Sequence, residues 1–328
     1  MKKALFLIAF AILAPLFVSA QSIPGIQNPV SITMSPTNPA PGDAVTFTAE
    51  SSSFDVNSAL LTWKANGSVV SSGAGDKTVT LSAGTFGKNT TVSLSAQVAS
   101  LGTFTDSVTI NPAVVNLIWE AQTSVPPFYQ GKALLGWGAT YRVVAVPEIY
   151  ENGVAVSPSH LVYTWSKNYS VEQDQSGYGK NIYQSDGSIN YTRGGDIINV
   201  TVATSDGTVS SQGSTVVSPV TPSVLIYEES PLYGVLYNQS LSAITMSGDS
   251  IIFHAEPFSF SNVSSALGSL VWNMNGSPVS DFAGKQSITL VRQDKNAGTT
   301  ELVASLQNPR ALLQGAQESV TINTNAEK

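Results

Sequence analysis

The chain has 328 residues, a formal net charge of −7 and only 11% charged residues. Nucleic-acid binding requires clustered Lys and Arg, so this sparse and acidic charge argues against a nucleic-acid partner. The sequence contains no cysteine, which excludes disulfides, thiolate metal sites and a lipidated cysteine within it. We therefore expect domains that are stabilised by their hydrophobic cores, without a cofactor.

Residues 1–20 have the pattern of a secretory signal peptide. Lys2 and Lys3 precede an apolar segment of about fifteen residues, shorter than the roughly twenty that a membrane-spanning helix needs. Val18-Ser19-Ala20 suits cleavage before Gln21. We predict export to the extracellular space, the cell surface or the periplasm. The alternative is a signal that is retained as a membrane anchor.

Tryptophan then recurs about every hundred residues, as Trp63, Trp165 and Trp272. Each follows a β-rich segment and precedes a polar turn. So long a period fits one complete β-sandwich rather than a solenoid repeat. We predict an all-β chain of three tandem antiparallel sandwiches with these Trp side chains in their cores. The expected domains are residues 21–112, 113–218 and 219–328, the last with a short polar tail.

Local patterns support this division along the chain. Residues 30–34 and 44–49 alternate as strands do, and Asn66-Gly67 is a strong hairpin signal. No later segment shows a long helical period, so helices should be rare. The prolines near the two junctions predict short, stiff linkers and a rod of three modules.

The second and third predicted domains correspond more closely to each other than to the first. Leu117-Ile118-Trp119-Glu120 matches Leu225-Ile226-Tyr227-Glu228. Gly179-Lys180, after Trp165, matches Gly284-Lys285, after Trp272. These matches indicate duplicated modules.

A Trp strand followed by polar turns resembles the Ig-like and PKD-like modules of bacterial exported proteins. The resemblance covers nearly all of residues 26–325. PKD modules carry a Phe-Gly-Asp-Gly turn after the Trp, whereas this chain has Lys64-Ala65-Asn66-Gly67 and Asn273-Met274-Asn275-Gly276. The resemblance implies tandem sandwiches that serve as spacers, adhesins or envelope-associated binding units.

The second predicted domain has a local excess of aromatic residues: Trp119, Phe128, Tyr129, Trp137 and Tyr141. Trp119 and Phe128 have Tyr227 and Leu232 as counterparts, which suggests a shared core. Trp137 has no counterpart and lies between glycines. Loop aromatics can stack on sugars or anchor a partner protein. We therefore predict that Trp137, Tyr129 and Phe128 contact a ligand, either a protein or a glycan at the cell surface.

Other chemistry has weaker support. His160 and His254 lack metal-ligand spacing, and no nucleophile motif accompanies them, so we predict no catalytic, cofactor or metal residue. Residues 172–177 and Asp186 carry acidic side chains near glycines, which leaves open whether the second domain binds a structural calcium ion. An isopeptide bond also remains open, although strand alternation points Lys64, next to Trp63, outward.

The sequence thus favours a non-enzymatic exported protein with a structural or adhesive role. One alternative is an accessory binding component of an envelope machine, such as a pilus or secretion apparatus. Another is a glycan-active enzyme with an interdomain site. That reaction requires paired carboxylates, for which Glu120, Glu148 and Glu151 are the candidates near the aromatic residues.

Overall fold

A computed structural model describes residues 28–127, 129–188, 194–293 and 296–326. The predicted signal peptide and its cleavage site lie outside these ranges. By its internal contacts the chain divides into two compact units. Of the described residues, the first unit contains 28–33, 47–79 and 91–108, and the second contains those of 34–46, 80–90 and 109–326. Within the described ranges no helix has the length and apolar character to cross a membrane.

The predicted fold class is confirmed: three Ig-like sandwiches follow one another along the chain. The first has a sheet of order β1-β2-β5 and a sheet of order β4-β3-β6-β7. Its strands are β1 (Ser31–Ser35), β2 (Ala44–Glu50), β3 (Leu60–Ala65), β4 (Ser68–Ala74), β5 (Thr78–Ser82), β6 (Thr90–Val98) and β7 (Gly102–Ile110).

The second sandwich has a sheet of order β13-β12-β16-β17, with β14 also on β12, and a sheet of order β15-β9-β8; β10 and β11 form a small hairpin. Its strands are β8 (Val114–Ala121), β9 (Tyr141–Glu148), β10 (Tyr150–Glu151), β11 (Val154–Ala155), β12 (Val162–Lys167), β13 (Ser170–Val171), β14 (Gly177–Tyr178), β15 (Ile182–Gln184), β16 (Asp196–Ala203) and β17 (Ser210–Val217).

The third sandwich pairs a β19-β18-β21-β24 sheet with a β20-β26-β25-β22-β23 sheet, in which β20 is parallel to β26. Its strands are β18 (Ser223–Ser230), β19 (Gly234–Val235), β20 (Ala243–Met246), β21 (Ser250–Phe258), β22 (Val271–Met274), β23 (Ser277–Pro278), β24 (Ser287–Val291), β25 (Gly298–Gln307) and β26 (Gly315–Thr324).

Helical segments are short, as predicted from the absence of a long helical period. One α-helix turn, α1, spans Val263–Leu267. Among the described residues, the 3-10 turns are Val56–Ser58, Pro158–His160, Gln173–Gln175 and Ser280–Phe282.

The three repeated Trp side chains are core residues, each with 0% exposure. Every indole N–H also donates a hydrogen bond to a backbone carbonyl further along the chain. The pairs are Trp63 to Asp76 (2.7 Å), Trp165 to Lys180 (2.8 Å) and Trp272 to Lys285 (2.8 Å). Burying an indole requires a partner for its N–H, so this bond satisfies the polar edge of the largest core side chain.

A glycine directly before each acceptor carbonyl shapes that turn. Gly75, Gly179 and Gly284 have φ of 74°, 71° and 71°, in the left-handed region that glycine adopts without steric cost. Their N–H groups donate to carbonyls just upstream of each Trp. These acceptors are Ala59, Leu161 and Leu270. The match of Gly179-Lys180 to Gly284-Lys285 thus reflects one shared turn, and the first sandwich has it too.

An asparagine three residues after each Trp begins a two-residue hairpin loop in left-handed geometry. The residues are Asn66, Asn168 and Asn275, with φ of 48°, 51° and 51°. Each backbone N–H donates to, and each side-chain Oδ1 accepts from, one residue of the neighbouring strand. Those residues are Thr91, Ile197 and Glu301, at 2.8–3.0 Å. This two-way contact, here called the Asn clamp, fixes the Trp strand beside its neighbour.

Candidate binding surface and joint

The segment between β8 and β9 carries the predicted ligand contacts. Phe128 lies outside the described residues. Tyr129 is 45% exposed, and Trp137 is half-buried. The carbonyl of Trp137 accepts a hydrogen bond from Gln314 of the third sandwich, so this residue lies where the second and third sandwiches meet.

The other aromatic residues of this segment have structural positions. Tyr141 is completely buried, and its hydroxyl donates to Asp196 at 2.8 Å. Trp119 packs partly against the core, with the Lys132 ammonium 3.5 Å from its ring centroid in a cation–π contact. The aromatic excess therefore divides between core and surface.

The sequence match predicted that Phe128 and Leu232 occupy equivalent positions in the cores of their sandwiches. This prediction is wrong for Leu232. Leu232 is 78% exposed and Tyr233 is 79% exposed, in the turn that follows β18. The Ser230 hydroxyl oxygen accepts both of their backbone N–H groups at 3.3 Å, so the turn is ordered while its apolar side chains face solvent. The counterpart of Trp119, Tyr227, is buried as expected.

Backbone pairing joins the second and third sandwiches around Ser124. Its N–H donates to the Phe260 carbonyl at 2.8 Å, and its carbonyl accepts from Ser259 at 3.1 Å. Its hydroxyl donates to the Pro257 carbonyl at 3.1 Å and accepts from the Phe260 N–H at 3.2 Å. A single serine thus makes four hydrogen bonds to the third sandwich.

A buried amide completes this contact. Gln314 has 0% exposure, and its Oε1 accepts from Ser261 N–H (2.9 Å), Ser261 hydroxyl (3.1 Å) and Asn308 (2.9 Å). Its Nε2 donates to Trp137 at 2.8 Å. A buried amide left without partners would cost about 1–3 kcal/mol, so this network ties the third sandwich to the Trp137 backbone.

Gly136 allows the two backbones to approach this closely. A β-carbon at Gly136 would overlap the Ser259 carbonyl oxygen. Gly136 also forms a parallel bridge with Val220, whose N–H donates to Leu135 at 2.7 Å. The glycine beside Trp137 was the sequence signal of this joint. Its partners could not be inferred because they lie more than eighty residues further along the chain. We call these contacts of Ser124, Gly136, Trp137 and Gln314 the joint.

A cleft of about 740 Å³ opens beside the joint. Its described lining comprises Gln122, Thr123, Ser124, Phe260, Asn262, Val263, Ser264, Ser265 and Arg310. These residues offer hydroxyls, amides and one guanidinium. Of the candidate acids, Glu120 pairs with Arg142 on the second sandwich, and Glu148 and Glu151 are exposed. None of the three lines this cleft.

The remaining candidates take part in local networks. His254 Nε2 lies 3.2 Å from Glu256, and its Nδ1 lies 2.8 Å from the Ser287 hydroxyl. His160 stacks on Tyr178. Asp186 accepts hydrogen bonds from Ser188, which lower the pKa of its carboxyl group. Across the described ranges, no three His or acidic residues group in a way that could hold a metal ion.

No family model and no curated protein matches the chain. Solved structures of tandem sandwich proteins do resemble it. Three N-terminal domains of the bacteriophage RB49 highly immunogenic outer capsid protein share 13% identity, with coverage of 91% of this chain and 99% of that one, at a TM-score of 0.27. The central fibronectin-III array of RIM-binding protein shares 10%, with coverage of 91% and 98%, at 0.28. The fibronectin(III)-like modules of Clostridium thermocellum CbhA share 12%, with coverage of 58% and 94%, at 0.28.

Proposed function

We propose that the chain is a non-enzymatic exported spacer of the cell surface or extracellular space that presents apolar turns to a protein or glycan partner. Export rests on the signal pattern of residues 1–20. The three proposed sandwich domains are residues 21–112, 113–218 and 219–328. A membrane contact would follow only if the signal segment were retained.

The joint is the observation that carries this proposal. Independent modules on a flexible tether need no buried amide network between them. Here Gln314 is fully buried and bonds to the Trp137 carbonyl, and Ser124 extends backbone pairing into the third sandwich. Such contacts restrict rotation between the two sandwiches, because breaking them would leave buried polar groups without partners. A fixed angle between modules is the property that a spacer requires.

Ordered apolar turns supply the proposed contact surface. Leu232 and Tyr233 are exposed on a turn held by Ser230, and Tyr129 is exposed at the matching place in the second sandwich. Tyrosine suits such a role because its ring stacks on sugars or partner side chains while its hydroxyl stays hydrated. A preordered turn loses little conformational entropy on binding.

Spin-label distance measurement tests the spacer. The chain has no cysteine, so two introduced cysteines would be the only labelled sites. Val154 and Val291 are exposed at 69% and 58% and lie in the second and third sandwiches. We expect Val154→Cys with Val291→Cys to give one narrow distance distribution. Adding Gln314→Ala should broaden it, whereas Gln317→Ala, an exposed amide, should not. A broad distribution in the parent pair would overturn the proposal.

A glycan array and a panel of immobilised proteins test the contact surface. We expect binding that falls at least several-fold in the Tyr129→Ala, Tyr233→Ala double variant and is retained in Val154→Ala. Hydrolysis of a bound glycan would contradict the non-enzymatic assignment. Binding that is unchanged by the double variant would place the contact elsewhere.

A further inference from the structure

Lys167 is a charged residue at a core-facing position. On β12, Trp165 points inward, Ser166 follows, and strand alternation brings Lys167 back to the Trp side. Its side chain is only 12% exposed. The same place, two residues after the Trp, is held by Ala65 in the first sandwich and Met274 in the third. The fold itself therefore does not require a charge here.

Asp196, at the start of the neighbouring strand β16, faces Lys167 from the interior. Its carboxylate is completely buried, and Oδ2 lies 3.4 Å from Lys167 Nζ. Asp196 directly precedes Ile197, whose backbone N–H donates to Asn168 in the Asn clamp. The corresponding residues are Thr90 and Thr300, one before Thr91 and Glu301. Only the second sandwich combines a lysine with an acid at these two places.

Two neutral donors hold the Asp196 carboxyl group in place. The Tyr141 hydroxyl donates to Oδ2 at 2.8 Å, and the Asn168 amide donates to Oδ1 at 2.9 Å. Burial, followed by the hydrogen bond and charge of Asp196, raises the pKa of Tyr141, so its hydroxyl remains a donor. On its other side Lys167 Nζ contacts Ser188 and lies 3.5 Å from Asp186. The amine thus lies between a buried and an exposed carboxylate.

A buried ion pair is costly, because the desolvation of two charges can exceed their attraction. Conversion of the pair into a neutral amide removes both charges from the interior. The surrounding groups suit that conversion. Donors on both oxygens of Asp196 would stabilise the negative oxygen that develops when an amine attacks its carbon. Lys167 Nζ lies 3.4 Å from Asp196 Oδ2, so a proton can pass from the ammonium to this carboxylate and free the nucleophilic lone pair.

We propose that an amide bond joins Lys167 Nζ to Asp196 Cγ in the folded second sandwich. The Nζ–Cγ bond forms and one Cγ–O bond breaks. The two protons lost by the ammonium pass to the departing oxygen of Asp196, and one water leaves. No oxidant, metal or cofactor takes part. The product crosslinks β12 and β16. It would lower the conformational entropy of the unfolded chain, as a loop-closing disulfide does.

Intact-mass measurement of the full folded chain, followed by a peptide map, tests the amide. We expect a mass below that of the linear sequence by one water, and a branched peptide that contains both Lys167 and Asp196. Lys167→Arg keeps the charge and should restore the linear mass. Lys180→Arg, a lysine of the same sandwich bound to the Asp174 carbonyl, should keep the water loss.

Asp196→Asn gives a sharper test, because the same attack on an amide expels ammonia rather than water. We expect that variant to be lighter than its own linear mass by one ammonia. An unmodified mass in the parent chain, with Lys167 and Asp196 in separate peptides, would overturn the proposal and leave an ion pair. So would a water loss that maps to a single peptide, such as a cyclised Asp186-Gly187.

Discussion

The hairpin after the Trp occurs three times, and the copy in the second sandwich differs from the other two. In the first and third sandwiches the clamp asparagine is followed by Gly67 or Gly276, with φ of 82° and 80°. In the second sandwich Tyr169 takes this left-handed position, at φ of 71°, with 71% of its surface exposed. Lys167 and Asp196 occur in the same copy.

Some features of this hairpin occur in all three sandwiches, and others differ in the second. All three copies keep the buried Trp, its bond to a carbonyl, the glycine turn and the Asn clamp. A tyrosine at positive φ costs about 1–2 kcal/mol of backbone strain, which is absent from the two copies with glycine. These departures lie in the same hairpin as the Lys167–Asp196 pair.

The largest effect should come from removing the shared Trp. Trp63→Ala, Trp165→Ala and Trp272→Ala should each lower the free energy of unfolding by about 3–5 kcal/mol, because each leaves a cavity and an unpaired carbonyl. Urea unfolding measures this loss. Trp119→Ala, a half-buried residue, should cost less. If one of the three variants unfolded at the same urea concentration as the parent chain, the three Trp residues would not have equivalent structural roles.

Alkaline pH should distinguish the sandwiches next. The first tyrosine of the sequence is Tyr129, so the first sandwich has none. Burial raises the pKa of Tyr163 from 10.0 to about 12, and burial also raises those of Tyr141 and Tyr183. The folded state therefore holds these protons more tightly than the unfolded state.

This stabilisation is complete below pH 10 and is lost as the pH rises from 10 toward 12. We expect the second sandwich to lose stability in that window while the first is little affected by tyrosine ionisation. Tyrosinate absorbance, followed together with hydrogen exchange in each sandwich, measures this. Simple titration of every described tyrosine near pH 10 would contradict the assigned burial.

The Asn clamp should show a graded effect. Asn66→Ala and Asn275→Ala each remove an acceptor for a strand N–H and should cost about 1–3 kcal/mol. Asn168→Ala should cost more, because it also removes a donor to the buried Asp196. Thermal unfolding of the three variants gives the comparison. An equal loss of stability in all three variants would mean that the hydrogen bond from Asn168 to Asp196 does not stabilise the fold.

The smallest effect should come from the strained tyrosine. Tyr169→Gly should raise the stability of the second sandwich by up to about 1 kcal/mol, because glycine takes the left-handed conformation without strain. Gly67→Ala, as the reverse control, should lower the stability of the first sandwich. Destabilisation by Tyr169→Gly would show that the ring makes a contact worth more than its strain.

Local patterns in the sequence predicted the sandwiches because the Trp, the Asn-Gly turn and strand alternation act within short segments. The joint escaped prediction since Ser124 and Gln314 meet residues distant in sequence. The Lys167–Asp196 pair depends on strand register, which the sequence does not reveal, although a lysine on the Trp face was visible. Leu232 was misplaced because a match between two turns does not show which way the side chains point.

Hydrogen exchange followed by NMR tests the shared hairpin most directly. The backbone N–H groups of Thr91, Ile197 and Glu301 each donate to a clamp asparagine side chain. We expect all three to exchange only through unfolding of their own sandwich, as core strand amides do. Exchange of any one of them at the rate of an exposed loop would contradict a common structural device in the three sandwiches.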